Sequence, residues 1–125
     1  GIMTHAAIVR GIAGVVIDGA NRDTAEIQNL GFPLYSRAQV PSGPHKDFGG
    51  IIDGVISCGG CPVRPGDLIL GDDDGISVVP LDWTTDMLVA SEKKLSQEKE
   101  ILKQINMGKT TADILGISEL EFINK

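Results

Sequence analysis

Aromatic residues are scarce in this chain, cysteines number two, and no long apolar run is present. Aromatics make up 4% of its 125 residues, so any core must rest on Ile, Val, Leu and Ala. No stretch reaches the ~18 consecutive apolar residues of a membrane span. The N-terminus lacks the basic region and following apolar segment of a signal peptide, and a cytoplasmic location is expected. Clustered basic residues are missing as well. The formal net charge is −6, and Lys and Arg are scattered apart from the Lys93-Lys94 pair. Phosphate backbones are held by clustered cations, so no nucleic-acid partner is expected. What remains is ordinary for a soluble globular domain, with 42% hydrophobic and 22% charged residues and a length that supports one hydrophobic core.

The cysteines form a single CxxC, "CGGC" from Cys58 to Cys61. A structural zinc site would need a second ligand pair, and His5 and His45 share no ligand spacing. A redox CxxC would open a helix, whereas Pro62 and Val63-Arg64-Pro65-Gly66 read as strand and turn. Two reduced thiols without a role are expected.

The periodicity changes along the chain. "IMTHAAIVRG" has helical spacing with a basic last turn and a glycine stop. "GVVID" is a short β-branched run, "TAEIQNLG" a two-turn helix ended by Gly31, and "FPLYS" a strand with Pro33 at its edge or start. Helix, strand, helix, strand is the rhythm of a layered α/β unit with parallel strands. "RAQVPSGPHKDFGG" reads as a long loop, functional or mobile. "IIDGVIS", "LILG" and "ISVVP" then read as short strands separated by the turn signals "PGD" and "DDDG". From Asp82 the pattern turns helical, with Leu88, Leu95 and Leu102 on one stripe widened by Ile101 and Ile105. Asp82 is the expected cap and Gly108 the expected stop. "TTADILGI" and "SELEFINK" predict one or two short helical turns.

Arg22-Asp23-x-x-Glu26 lies between the first strand and the second helix, and two readings are open. Asp23 as N-cap with Glu26 three residues on is a capping box. Alternatively, the turn offers carboxylates and free N–H groups beside a fixed cation. Asp23 would then ligate a hard divalent metal, with Glu26 orienting a water around it. Arg22 would clamp a substrate carboxylate in bidentate fashion. "GDDDG" lacks the spacing of a calcium loop and reads as a hairpin turn. "GPHK" (Gly43 to Lys46) reads as solvated loop, or as the partner of a substrate's distal carboxylate.

"GVVIDGANRDTAEIQNLGFPLYSR", "SGPHK" and "VISCGGCPVRPGDLILGDDDGISVVP" together resemble the class II pyruvate aldolases related to the regulator of ribonuclease E activity A. The resemblance covers essentially residues 1 to 80. The family's site pattern, a glycine, twenty residues, Arg-Asp, two residues and an acid, falls on Gly1, Arg22, Asp23 and Glu26. By that resemblance Asp23 and Glu26 would hold Mg²⁺ or Mn²⁺, directly and through water. Arg22, with Asp23, would be catalytic and would bind the pyruvate-like carboxylate or keto oxygen. The backbone of Gly1, Ile2 and Met3 would hold that carboxylate at a helix N-terminus. The resemblance implies cleavage of a 4-hydroxy-2-oxo acid, such as 4-hydroxy-4-methyl-2-oxoglutarate, to pyruvate and an oxo acid, with oxaloacetate decarboxylation as a side activity. It implies a swivelling-domain-like αββα sandwich over residues 1–80 and a helical extension over 81–125. The family domain is longer, and this core would be its C-terminal part, in a homotrimer or hexamer. The alternative is a non-catalytic, protein-binding regulator, a branch that tends to lose the metal-binding Asp. Here Asp23 is kept.

Overall fold

The computed structural model describes residues 1–117; the helical turns expected over 118–125 lie outside them. Two compact units divide the chain, Gly1–Pro65 and Gly66–Lys125. Helices and strands are mixed in both, so the α/β class holds. Among the described residues no helix is long and apolar enough to cross a membrane.

The first unit opens with α1 (Ile2–Val9), β1 (Val15–Asn21), α2 (Thr24–Asn29) and β2 (Leu34–Gln39). β1 and β2 pair in parallel, as the alternating rhythm predicts, starting from Val15 opposite Leu34. Between Ile17 and Ala20 the register shifts, a bulge of the kind that bends a strand and re-aims its end. β2 runs on through Arg37, Ala38 and Gln39, residues the loop reading had claimed. Their β1 partners supply the pairing that local composition does not announce.

The core of this unit is small. Ala7 of α1, Ile27 of α2 and Phe32 are buried together, with Val15 and Leu34 packed against them. Phe32 is placed there by the way α2 ends. The Gly31 N–H donates to the Gln28 carbonyl at 2.9 Å and the Phe32 N–H to that of Ile27 at 3.4 Å. That is a Schellman ending, whose characteristic apolar contact here is Ile27 with Phe32.

Beyond the long loop, β3 (Ile56–Cys58) and β4 (Cys61–Val63) form an antiparallel hairpin. The strand expected over "IIDGVIS" is thus shortened to its last residues. Ile51 and Ile52 are almost fully exposed and Asp53 sits in the left-handed region, so neither burial nor backbone supports pairing there. Gly59 and Gly60 make the hairpin's two-residue turn with φ of 61° and 81°. A type I′ turn requires positive φ at both places, and glycine adopts it without a Cβ clash. The turn is tied to the bulge of β1: the Gly59 N–H donates to Asp18 Oδ2 at 2.9 Å, and Asp18 Oδ1 pairs with the Arg37 guanidinium on β2.

In the second unit β5 (Leu68–Asp72) and β6 (Gly75–Val79) form another antiparallel hairpin, so "GDDDG" is a turn. Asp72 Oδ1 accepts from the Asp74 N–H across it at 2.9 Å. A 3₁₀ turn, Leu81–Trp83, leads into α3 (Thr84–Asn106), and α4 (Thr111–Leu115) follows. Asp82 is not the cap of α3: it lies inside the 3₁₀ turn, and Trp83 takes the N-cap position without a side-chain bond. Gly108 does stop α3 as expected, with Lys109 N–H reaching back to the Gln104 carbonyl at 3.1 Å. α4 carries a capping box between Thr110 and Asp113.

Candidate active site

The end of β1 hands the chain directly to the candidate residues. Asn21, its last residue, accepts a hydrogen bond from Ser36 Oγ of β2 at 2.8 Å and donates to Thr24 Oγ1 at 3.4 Å. These two bonds pin the strand-to-helix turn from both sides, so Arg22 and Asp23 project from a fixed backbone.

Asp23 stands at the N-cap position of α2, but its side chain makes no capping bond and its backbone is left-handed, φ 62° and ψ 32°. A capping carboxylate needs extended backbone to reach back to the helix N–H groups. Here the carboxylate turns away from α2 and toward the start of α1. Asp23 Oδ2 lies 3.7 Å from the Gly1 nitrogen, and Glu26 Oε2 lies 3.2 Å from the same atom. Glu26 is in the first turn of α2, three residues on, and this places both acids on one side. A Cβ on Gly1 would sit 2.5 Å from Asp23 Oδ2, so a side chain at that position would push the carboxylate aside.

Arg22 Nε is 3.9 Å from Asp23 Oδ2, too long for a hydrogen bond, so the guanidinium fork is not taken up by its neighbour. It lines a cleft of about 450 Å³ with Asp23, Thr24, Gln39, Val40 and Pro41. The long loop continues over it. A Cβ on Gly43 would come within 3.5 Å of Arg22 Nη1, and His45 and Lys46 follow. His45 itself packs edge-on against Phe48.

Gly1, Arg22, Asp23 and Glu26 thus lie together. Ile2 and Met3 form the first turn of α1, their side chains exposed and their N–H groups at the end of a helix where no intrahelical partner exists. One residue at the site escapes the sequence reading. His5 Nδ1 lies 3.8 Å from Glu26 Oε1 and 3.2 Å from the Gly1 carbonyl oxygen. Its signal is the four-residue spacing from Gly1, which puts both on one face of α1. Among the described residues no group of three or more His, Cys, Asp or Glu side chains gathers to hold a metal.

Residues 1–78 match the model of the RraA-like family, described as Aldolase/RraA. The chain belongs to this family. A Halalkalibacterium halodurans protein, provisionally named a 4-hydroxy-4-methyl-2-oxoglutarate aldolase, is 43% identical over 89 residues, 71% of this chain and 42% of that protein. The crystal structure of an uncharacterized Pseudomonas syringae protein superposes with a TM-score of 0.73 at 30% identity, over 87% of this chain and 55% of that one. A Streptomyces coelicolor protein described as an unusual member of the RNase ES inhibitor RraA family gives 0.60 at 29% identity, over 76% and 50%. The chain therefore spans about half the length of these relatives.

Proposed function

We propose that this chain carries the pyruvyl- and metal-binding part of a lyase that cleaves a 4-hydroxy-2-oxo acid, such as 4-hydroxy-4-methyl-2-oxoglutarate, to pyruvate and an oxo acid. The observation that carries the proposal is Asp23. Its carboxylate caps no helix and, with that of Glu26, faces the start of α1. The donor set fits a hard cation. Two carboxylates with no third protein ligand is how Mg²⁺ or Mn²⁺ is held when waters and substrate oxygens complete the shell. Asp23 would hold it directly and Glu26 through a water. When bound, such a cation acts as a Lewis acid toward the keto oxygen of the substrate.

The chain's own groups do the rest. Arg22 presents a planar fork to the substrate's carboxylate or keto oxygen, a preorganised positive charge where negative charge develops as the C–C bond breaks. The first N–H groups of α1, with Gly1, Ile2 and Met3 at its start, receive the pyruvyl carboxylate at the positive end of the helix. Oxaloacetate loses CO₂ through the same kind of charge build-up, so its decarboxylation is the expected side activity. His45 and Lys46, which follow Gly43 in the loop beside Arg22, would be the residues to meet the distal group. The assembly is a homotrimer or hexamer.

The deciding experiment is pyruvate release from oxaloacetate and from 4-hydroxy-4-methyl-2-oxoglutarate, with Mg²⁺ and with EDTA, for this chain and for Asp23→Ala. Turnover that requires metal and falls at least ~100-fold in the variant is expected, the scale on which such electrostatic groups act. If a longer form of the protein is also inactive, the non-catalytic regulator reading replaces this one.

A further inference from the structure

The CGGC hairpin lies outside the proposed site, and its geometry differs from the helix-opening CxxC that redox chemistry brings to mind. Cys58 and Cys61 are Cα partners across the antiparallel pair β3–β4, directly flanking the Gly59-Gly60 turn. Opposed residues of an antiparallel pair send their side chains to the same face, with Cα atoms ~4.5–5.5 Å apart. A disulfide accepts Cα separations of about 4.4–6.8 Å. The Cα separation of such a pair therefore falls within what a disulfide spans, and closing the bond needs side-chain rotation with a small approach of the two Cβ atoms, from ~4.5–5.5 Å to ~3.5–4.5 Å.

Three further observations favour this pair over an arbitrary one. Both cysteines are free thiols, Cys61 exposed and Cys58 half-buried. The Cys61 thiol donates to the carbonyl oxygen of Pro62 at 3.6 Å, a weak bond that rotation gives up at little cost. The turn is also held from outside, because the Gly59 N–H is bonded to Asp18 Oδ2 and Asp18 is fixed in turn by Arg37. Closure thus starts from an ordered hairpin.

We propose that Cys58 and Cys61 form a reversible thiol–disulfide site whose co-reactant is a low-molecular-weight disulfide of the glutathione type. The exposed Cys61 reacts first. Its thiolate attacks one sulfur of the small disulfide, forming a mixed disulfide and releasing one small thiolate. The Cys58 thiolate then attacks Cys61 Sγ and expels the second small thiolate. Two protein thiols are oxidised, one small disulfide is reduced to two thiols, and the two protein protons end on those thiols. A small dithiol runs the sequence backwards.

The test uses the full chain equilibrated in glutathione buffers of graded oxidised-to-reduced ratio, acid-quenched and weighed intact. The expected product is two hydrogens lighter than the reduced chain and is restored by dithiothreitol. Cys58→Ser should stop at one mixed disulfide on Cys61. Half-oxidation of the native chain should come at a ratio at least ~10-fold more reducing than for the same chain in guanidinium, because the folded hairpin holds the sulfurs together. Two glutathione adducts per chain, disulfide-linked dimers, an unchanged mass, or the same midpoint in guanidinium would each overturn the proposal.

Discussion

At the scale of single residues, Asp23 decides how the opening motif is understood. Sequence spacing identified Arg22, Asp23 and Glu26 together but left capping and metal binding both open, because each uses an acid at the same two positions. The backbone removes the first: at φ 62° Asp23 does not cap α2 with its side chain, and metal binding is the reading proposed above. Holding a non-glycine residue in that region costs of order 1 kcal/mol, so Asp23→Gly is predicted to leave the chain at least as stable as before. Urea denaturation checks this, and a loss of ~1 kcal/mol or more, as when a capping side chain is truncated, would contradict it. The same variant should lose metal-dependent turnover. His5 was illegible for a different reason. Its spacing from Gly1 puts it on the same face of α1, but its approach to Glu26 depends on α1 lying beside α2, a tertiary contact.

At the scale of elements, helix endings were the most legible feature and strand lengths the least. Gly11, Gly31 and Gly108 stop α1, α2 and α3 as expected, since a positive-φ residue after a helix is a local requirement. By contrast, β2 gained Arg37 to Gln39 and β3 lost Ile51 and Ile52, because pairing partners lie far along the chain. The start of α3 was misread too, Asp82 being a local cap signal that the 3₁₀ turn absorbs. α4 offers a pH-dependent test of capping. Hydrogen bonds from the Thr110 hydroxyl and backbone N–H hold the Asp113 carboxyl below its ordinary range. A carboxylate with a depressed value in the folded state contributes above its unfolded value and loses that contribution as pH falls through the folded one. Amide exchange at Asp113 and Ile114 is therefore predicted to be slowed at neutral pH, with the protection fading below about pH 4. Protection that persists unchanged into strong acid would refute the assignment.

At the scale of the whole molecule, the chain buries little. Among the described residues only Ala7, Ile27, Phe32 and Val79 are buried hydrophobics. Composition did not reveal this, because an ordinary apolar fraction fixes how much could be buried and not what covers it. Ile2, Met3 and Val9 of α1 are more than 80% exposed, beside the residues proposed to bind substrate. Apolar surface on this scale marks interaction sites. The purified chain is predicted to bind a hydrophobic dye strongly and to show a concentration-dependent mass in sedimentation. A monomeric, dye-free chain would argue against the oligomer.

The bulge in β1 makes the whole site depend on one extra residue in one strand. From Ile17 to Ala20 β1 advances three residues while β2 advances two, from Ser36 to Ala38. The extra residue is taken up locally, and Ala20 and Asn21 come back into register opposite Ala38 and Gln39. Deleting Gly19 would bring the two strands back into step over their full length. The same deletion would take out the bend that brings Asn21 back to Ser36 and would shift Arg22 and Asp23 with it. A change that makes the sheet more regular would thereby dismantle the constellation at its end.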